Sequence, residues 1–98
     1  QMEDKEYLNI LHKNLKELNK NRYDFVFYIA GVDIHFEDRL GKLKISDEGV
    51  NKRDQIVIEN FYSKKTPLCG VLGGGYNKSF EKLIELHSML HKNCAKII

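Results

Sequence analysis

Apolar positions near the start of the chain recur at the spacing of one helical stripe. They are Leu8, Leu11, Leu15 and Leu18. Lysine, glutamate and asparagine fill most of the positions between them, as on the solvated side of an amphipathic helix. The pattern therefore predicts a helix from Asp4 to about Lys20.

Two later apolar runs show almost no alternation between apolar and polar residues. Tyr23 to Val32 is nearly continuous in aromatic and β-branched residues, and a shorter run covers Leu68 to Leu72. Such runs are typical of strands that are covered on both faces, as in parallel sheets. We therefore expect two buried strands, the second of which ends in a turn at Gly73, Gly74 and Gly75.

A helix is predicted after each of these strands. The irregular stretch from Ile34 to Ile45 leads to Ser46, a favourable N-cap residue, and the helix that follows ends near Ser63. Its apolar side is Val50, Val57, Ile58 and Phe61. A last helix follows Ser79 and fades around Asn93. The predicted order is α-β-α-β-α.

This order predicts an α/β fold with one right-handed parallel crossover. Folds of this kind place helices on both faces of the sheet, and two wholly apolar strands leave an exposed edge that isolated domains avoid. We therefore expect residues 1–98 to form a single partial domain, incomplete on its own and part of a larger sheet.

Composition excludes several classes of partner. A formal charge of +2, from 16 basic and 14 acidic residues, gives no nucleic-acid footprint. No apolar run approaches the roughly 18 residues that span a bilayer, so no membrane contact is expected. Cys69 and Cys94 do not form a short paired motif, which favours a reducing, cytoplasmic location. Met2, preceded by Gln1, is interpreted as a native start behind a residue left from cloning.

The candidate chemistry lies where the two predicted strands end. Ligands of open α/β sheets bind at the carboxyl ends of strands, so Asp33 and the segment Gly73–Tyr76 should approach each other there. Asp33 is an oxygen donor suited to a metal ion, or a carboxylate that caps its loop. Three interpretations of the glycines are open. They form a turn that needs positive φ, or a phosphate cradle, or the wall of a narrow channel that ends at Tyr76.

Other candidates have weaker patterns. Asp33 and His35 have the spacing of two ligands on an extended chain, but a single loop histidine is usually on the surface. His87 and His91 have the spacing of a zinc pair on a helix, without a third ligand or an adjacent glutamate. A phosphate-binding loop at Gly73–Ser79 would lack its second glycine, because Asn77 takes that position.

Two segments together carry a family resemblance: YIAGVDIHFEDRLGKLKISDEGVNKRD, from Tyr28 to Asp54, and LGGGYN, from Leu72 to Asn77. They resemble the last part of the catalytic domain of the histone deacetylase, acetoin-utilisation protein and acetylpolyamine amidohydrolase superfamily. The pattern AGxDxxxxDxLGxLxIS looks closest to bacterial and class IV members. The resemblance covers most of the chain from about Tyr23 and implies the three-layer, parallel-sheet arginase/deacetylase-type fold.

The resemblance also implies roles for individual residues. Asp33 matches a zinc-ligand aspartate of the family, and Tyr76 matches its catalytic tyrosine. Gly74 and Gly75 match glycines that line the acyl-lysine channel, and Leu40 matches a residue at the pocket rim. The expected chemistry is amide hydrolysis with Zn²⁺, in which the tyrosine stabilises the developing oxyanion.

The rest of the family's site is not expected in this chain. Its His-His pair and Asp-x-His motif lie upstream of the matching region, Asp38 aligns with an aspartate that shapes the loop, and His35 falls at a variable position. One carboxylate cannot hold a catalytic zinc that needs three protein ligands. We therefore expect no hydrolysis of acetyl-lysine or polyamine amides by the chain alone. Two hypotheses stay open: complementation by a separately encoded N-terminal half, and a non-catalytic remnant that self-associates through its sheet edge.

Overall fold

The computed structural model describes residues 2–38, 43–75, 77 and 79–97. The elements alternate as predicted: α1 (Asp4–Leu18), β1 (Val26–Ala30), α2 (Asp47–Ser63), β2 (Leu68–Leu72) and α3 (Phe80–Ile97). Among these described residues, none of the helices has the combination of length and apolarity that crossing a membrane requires.

The two strands form a parallel sheet whose register brings their carboxyl ends together. Val26 pairs with Leu68 at one end of the sheet, and Ala30 pairs with Leu72 at the other. Residues that pair in a parallel sheet point to the same face, so the sheet has one face with Val26, Tyr28 and Ala30 and another with Phe27 and Ile29. Both loops that carry the candidate chemistry leave from the same end.

All three helices pack against the face of the sheet that carries Tyr28. Leu15 of α1 and Phe61 of α2 form one cluster with Val26 and Leu68. Ala30 of β1 packs with α2 and α3 in a second cluster, whose other fully buried members are Ile58 and Leu90. Full burial of a leucine, isoleucine or phenylalanine side chain contributes about 1.5–3 kcal/mol. These two clusters fix the helices over one side of the two strands.

The opposite face of the sheet is open. Phe27 and Ile29 are each 71% exposed, Phe25 is 50% exposed, and Val71 is 36% exposed. We call these four residues the open face. The prediction that β1 is covered on both faces is therefore wrong within this chain, because no described helix packs on that side. The strand is also shorter than the predicted run from Tyr23 to Val32.

The helix boundaries agree closely with the sequence pattern, except at the end of α3. Ser46 caps α2 as predicted, since its Oγ accepts a hydrogen bond from the Gly49 amide at 3.0 Å. Helix α3 continues past Asn93 to Ile97 because Asn93 is buried rather than terminal. Its side-chain amide donates to the Asn51 side chain at 2.8 Å and thereby joins α3 to α2.

Candidate active site at the carboxyl ends of the strands

The turn that carries Asp33 and the glycine turn after β2 meet directly. The amide of Val32 donates a hydrogen bond to the Gly74 carbonyl at 2.8 Å, and each residue lies two positions beyond the last pair of the sheet, Ala30 and Leu72. A Cβ built on Gly31 would lie 3.1 Å from Oδ1 of Asp33 and 3.6 Å from the Gly74 amide nitrogen. The predicted approach of the two strand ends is confirmed, with the Asp33 carboxylate exposed beside Gly31.

Close packing explains two of the three glycines in the turn. A Cβ on Gly73 would lie 2.9 Å from the Gly31 Cα, and one on Gly75 would lie 2.5 Å from Cγ2 of Val32. None of the glycines that the structure describes has a positive φ. The interpretation of the turn as one that needs positive φ is therefore wrong for Gly73, Gly74 and Gly75. The first and last of them are small because the Asp33 turn packs against them.

Tyr76 and Leu40, the predicted catalytic tyrosine and rim residue, lie outside the described residues. Gly74 is exposed and Gly75 is partly buried. Their predicted place in the wall of a channel stays a prediction.

His35 belongs to the interior of the loop, not to its surface. The residue is 1% exposed, and Nε2 lies 2.5 Å from Oδ1 of Asp47 at the start of α2. Because Nδ1 accepts from the Glu37 amide at 3.3 Å, Nε2 carries the hydrogen that is donated to Asp47. The expectation of a surface histidine is wrong: His35 is a buried link between the Asp33 loop and α2, while Asp33 is exposed.

Asp47 extends this link to the third helix. Its second carboxylate oxygen accepts from Nζ of Lys82 in α3 at 2.6 Å. The hydrogen bond from Lys82 lowers the pKa of Asp47, the hydrogen bond from His35 lowers it further, and partial burial opposes both. The same hydrogen bond raises the pKa of Lys82. The hydrogen bonds that Asp47 accepts from His35 and Lys82 therefore tie the loop to the N-terminal ends of two helices.

The backbone of Asp38 joins two parts of the site, while the predicted role of its side chain in shaping the loop stays a prediction. The residue is 8% exposed, and it forms an isolated antiparallel bridge with Asn77, two residues after the last glycine of the turn. Its amide donates to the His35 carbonyl at 3.0 Å. The Asp33 loop and the glycine turn are thus joined at two places, by this bridge and by the bond from Val32 to Gly74.

A buried polar cluster lies beneath the junction. Arg53 and Asp54 of α2 are 5% and 1% exposed, and the Arg53 guanidinium donates through Nε and Nη2 to one Asp54 oxygen, at 3.1 Å and 2.9 Å. The hydroxyl of Tyr28 donates to the same oxygen at 2.5 Å. The third guanidinium nitrogen, Nη1, donates to the Gly31 carbonyl. Burial is the main cause that raises the pKa of Tyr28 far above its ordinary value.

Sequence reasoning missed this cluster, although a signal was present. Arg53 and Asp54 occupy positions three and four residues from both Val50 and Val57, so they fall on the predicted apolar stripe of α2. Charged residues at such positions are rarely buried without a partner. The adjacent pair of opposite charges on a helix stripe therefore indicated a buried ion pair.

The two helix histidines do not act as a pair. His87 is partly buried near the glycine turn, where burial lowers its pKa and the positive charge of Arg53 lowers it further. His91 is exposed one turn later. The part of the chain that the structure describes contains no group of three or more His, Cys, Asp or Glu side chains arranged to hold a metal ion. Asp33 fits one ligand position as an exposed carboxylate, and further ligands are needed for a zinc site.

Comparison with known proteins identifies the family. The sequence model of the histone deacetylase domain matches residues 1–90. The chain belongs to the histone deacetylase family. The resemblance that the Asp33 loop and the glycine turn carry is thereby confirmed at the level of the family, and the α/β order with a parallel pair of strands corresponds to part of the arginase/deacetylase-type fold.

Two relatives show how much of a family member this chain represents. It is 40% identical over 92 residues to an uncharacterised protein of Picosynechococcus sp. (strain PCC 7002), a match covering 93% of the chain and 31% of that protein. It is 40% identical over 80 residues to histone deacetylase 2 of Arabidopsis thaliana, which covers 81% of the chain and 21% of that protein. The chain therefore spans a third or less of these relatives.

Proposed function

We propose that this histone deacetylase family chain supplies one side of a zinc-dependent site that hydrolyses acetyl-lysine-type amides. The observation that carries the proposal is the contact between the Asp33 turn and the glycine turn, through the Val32 amide and the Gly74 carbonyl at 2.8 Å. This contact supports a common site because it places the Asp33 carboxylate next to the turn that leads into Tyr76.

In this proposal each residue has a separate task. The exposed Asp33 carboxylate is one ligand of the metal, and its short loop is held by His35 and Asp38. Gly74, which is exposed, leaves room for the acyl chain, Gly75 follows it in the wall of the channel, and Leu40 lies at the rim. The Tyr76 hydroxyl donates to the oxyanion that develops on the amide carbonyl. The zinc ion, when bound, polarises that carbonyl and lowers the pKa of a water molecule.

The remaining ligands and the general base must come from outside the described residues. A catalytic zinc takes about three protein ligands, and Asp33 supplies one. The relatives are about three to five times as long as their matching segments, which supports a parent protein that carries the rest of the site. We therefore propose that the chain by itself does not hydrolyse amides.

The open face is the proposed contact surface for that remainder. Phe25, Phe27, Ile29 and Val71 expose a group of large apolar side chains on one sheet face, and such patches on a soluble protein usually mark an interaction surface. Their chemistry fits an apolar helix layer, which would complete the sandwich of helices around a parallel sheet. The earlier hypothesis of association through the strand edge is thus extended to the face.

An acetyl-lysine peptide assay tests the function. The chain is mixed with Zn²⁺ and with the part of the Picosynechococcus relative that it does not match, supplied as a separate polypeptide. We expect hydrolysis in the mixture only, lost by at least about 100-fold in Asp33→Asn and Tyr76→Phe. The exposed residues Asp24 and Tyr62 provide matched controls, Asp24→Asn and Tyr62→Phe, which should retain activity.

Sedimentation of the same mixtures tests the contact surface. Phe27→Lys and Ile29→Lys should abolish the complex, while Tyr62→Lys, at an aromatic position that is 62% exposed and lies outside the open face, should not. A complex that forms equally well with all three variants would contradict the assignment of the surface. A complex without activity, or self-association of the chain in place of a complex, would instead favour the non-catalytic remnant.

A further inference from the structure

The peptide unit between Gly31 and Val32 is held from both sides. Its carbonyl oxygen accepts a hydrogen bond from Nη1 of Arg53, and its N–H donates to the Gly74 carbonyl at 2.8 Å. A peptide unit is planar, so two opposed hydrogen bonds fix the orientation of the whole plane. The next residue is Asp33. The direction in which Asp33 leaves the strand is therefore set by the same two bonds.

Arg53 is itself held in place by its neighbours. Two of its nitrogens are hydrogen-bonded to Asp54, and its guanidinium carbon lies 5.7 Å from the centre of the Tyr28 ring. The planar guanidinium presents its donors in a fixed fork, so fixing two of them aims the third at Gly31. Lysine could donate one hydrogen bond there but could not keep the fork with Asp54.

Stability alone is a poor explanation for this arrangement. A buried ion pair is often no more stabilising than apolar side chains of similar volume, since both charges lose their hydration. Val57, Ile58 and Phe61 of α2 already pack with residues of the sheet in two apolar clusters, so apolar contacts are available to hold α2 on the sheet. What an apolar residue could not do is bind the Gly31 carbonyl.

We propose that Arg53 is a positioning residue for Asp33, acting through the Gly31–Val32 peptide. The assignment deepens the proposed function, because it rests on Asp33 being a metal ligand. Asp54 holds Arg53 through two hydrogen bonds, and Tyr28 holds Asp54 through one. Supporting residues of this kind commonly change metal affinity by about 10–100-fold when they are removed.

Hydrogen exchange in the 98-residue chain tests the geometric part. Arg53→Met should raise the exchange rate of the Val32 amide by about tenfold more than the change in global stability alone would raise it. The Val32 exchange rates of Arg53→Lys and Tyr28→Phe should lie between those of Arg53→Met and wild type. Val57→Ala is the control, because it removes a buried side chain from the apolar cluster of Leu15 and Phe61. It should change the exchange rate of the Val32 amide only as much as it changes global stability. The proposal would be overturned if Arg53→Met and Val57→Ala raised the Val32 exchange rate equally after correction for their effects on global stability.

Cobalt binding tests the metal part with a readout that needs no turnover. The visible absorption of Co²⁺ is followed in the complex between the chain and the remaining part of the Picosynechococcus relative. Arg53→Met should weaken Co²⁺ binding by at least about tenfold, Arg53→Lys should restore part of it, and Val57→Ala should match wild type. If the wild-type complex binds no Co²⁺, the proposed function is wrong and the Val32 exchange rates still decide whether Arg53 orients the peptide. Wild-type affinity in Arg53→Met would refute the positioning role.

Discussion

Replacement of Gly73 by alanine examines the contact on which the candidate site depends. The new Cβ would lie 2.9 Å from the Gly31 Cα and 3.0 Å from the Gly31 nitrogen, both atoms of the backbone. Carbon atoms in optimal contact are about 3.5–4.0 Å apart, so the two strand ends would have to separate by roughly 0.5–1 Å. A backbone atom cannot rotate away as the end of a side chain can.

The magnitude follows from two opposing effects. Overpacking in a dense region costs about 1–3 kcal/mol. Alanine also restricts the unfolded chain, which stabilises the folded state by about 0.4–1 kcal/mol where the backbone conformation is compatible, and no described glycine has a positive φ. We therefore expect Gly73→Ala to lower the free energy of unfolding by roughly 1.3 kcal/mol, the difference between the midpoints of these two ranges.

Urea unfolding measures this difference, with Gly70→Ala as the matched control. A Cβ on Gly70 would lie 3.0 Å from Cδ1 and 3.1 Å from Cδ2 of Leu90, which are atoms at the end of a side chain and not of the backbone. That variant should therefore change stability by less than about 1 kcal/mol. If Gly73→Ala is as stable as wild type, or if Gly70→Ala costs more, the close packing of Gly73 on Gly31 is not what requires a glycine.

Three further outcomes are expected. Ser46→Ala removes the hydroxyl that caps α2 by accepting from the Gly49 amide, and it should lower the free energy of unfolding in urea by about 1 kcal/mol. An unchanged urea midpoint would exclude this capping role. The hydrogen bond from Lys82 lowers the pKa of Asp47 in the folded state below its ordinary value of 3.8, so the stability it contributes is complete above that value and is lost as the pH falls through the folded pKa. Asp47→Asn should therefore flatten the acid limb of stability against pH, and an unaltered limb would contradict the link. Asn93→Ala should cost about 1–3 kcal/mol because it removes a buried amide that joins α3 to α2, and thermal unfolding would show the loss.

Most of the fold was predictable because local patterns determine it. Regular apolar spacing predicted the three helices, and the short apolar runs predicted the two strands within a few residues. The end of α3 was missed because Asn93 looks like a helix terminator in sequence, whereas a contact with Asn51 on another helix buries it. Tertiary partners of this kind leave no local trace.

The bare face of the sheet could not be predicted for a different reason. An apolar strand such as Val26–Ala30 has the same composition whether both of its faces are covered within the chain or one face is left uncovered by it. Sequence pattern reports what a side chain prefers, not which polypeptide supplies its partner. The same limit applies to His35, whose burial depends on Asp47 in the following helix.

The candidate site was predictable in outline and not in its supports. The convergence of Asp33 with the glycine turn follows from parallel topology alone. The fixing of the Gly31–Val32 peptide by Arg53 depends on the rotation of α2 about its axis, which only packing determines. Burial of the adjacent charges Arg53 and Asp54 was the one part of that support with a readable pattern.

The first residues of the chain have a practical consequence for all of these experiments. The Met2 carbonyl accepts a hydrogen bond from the Lys44 amide at 2.9 Å, and Glu3 pairs with Lys44 in an isolated bridge. An affinity tag or fluorescent label ahead of Met2 would therefore begin beside the strand-like segment that closes the Asp33 loop. Tags placed after Ile98, or cleaved from the front of the chain, would keep that loop free of an artificial neighbour.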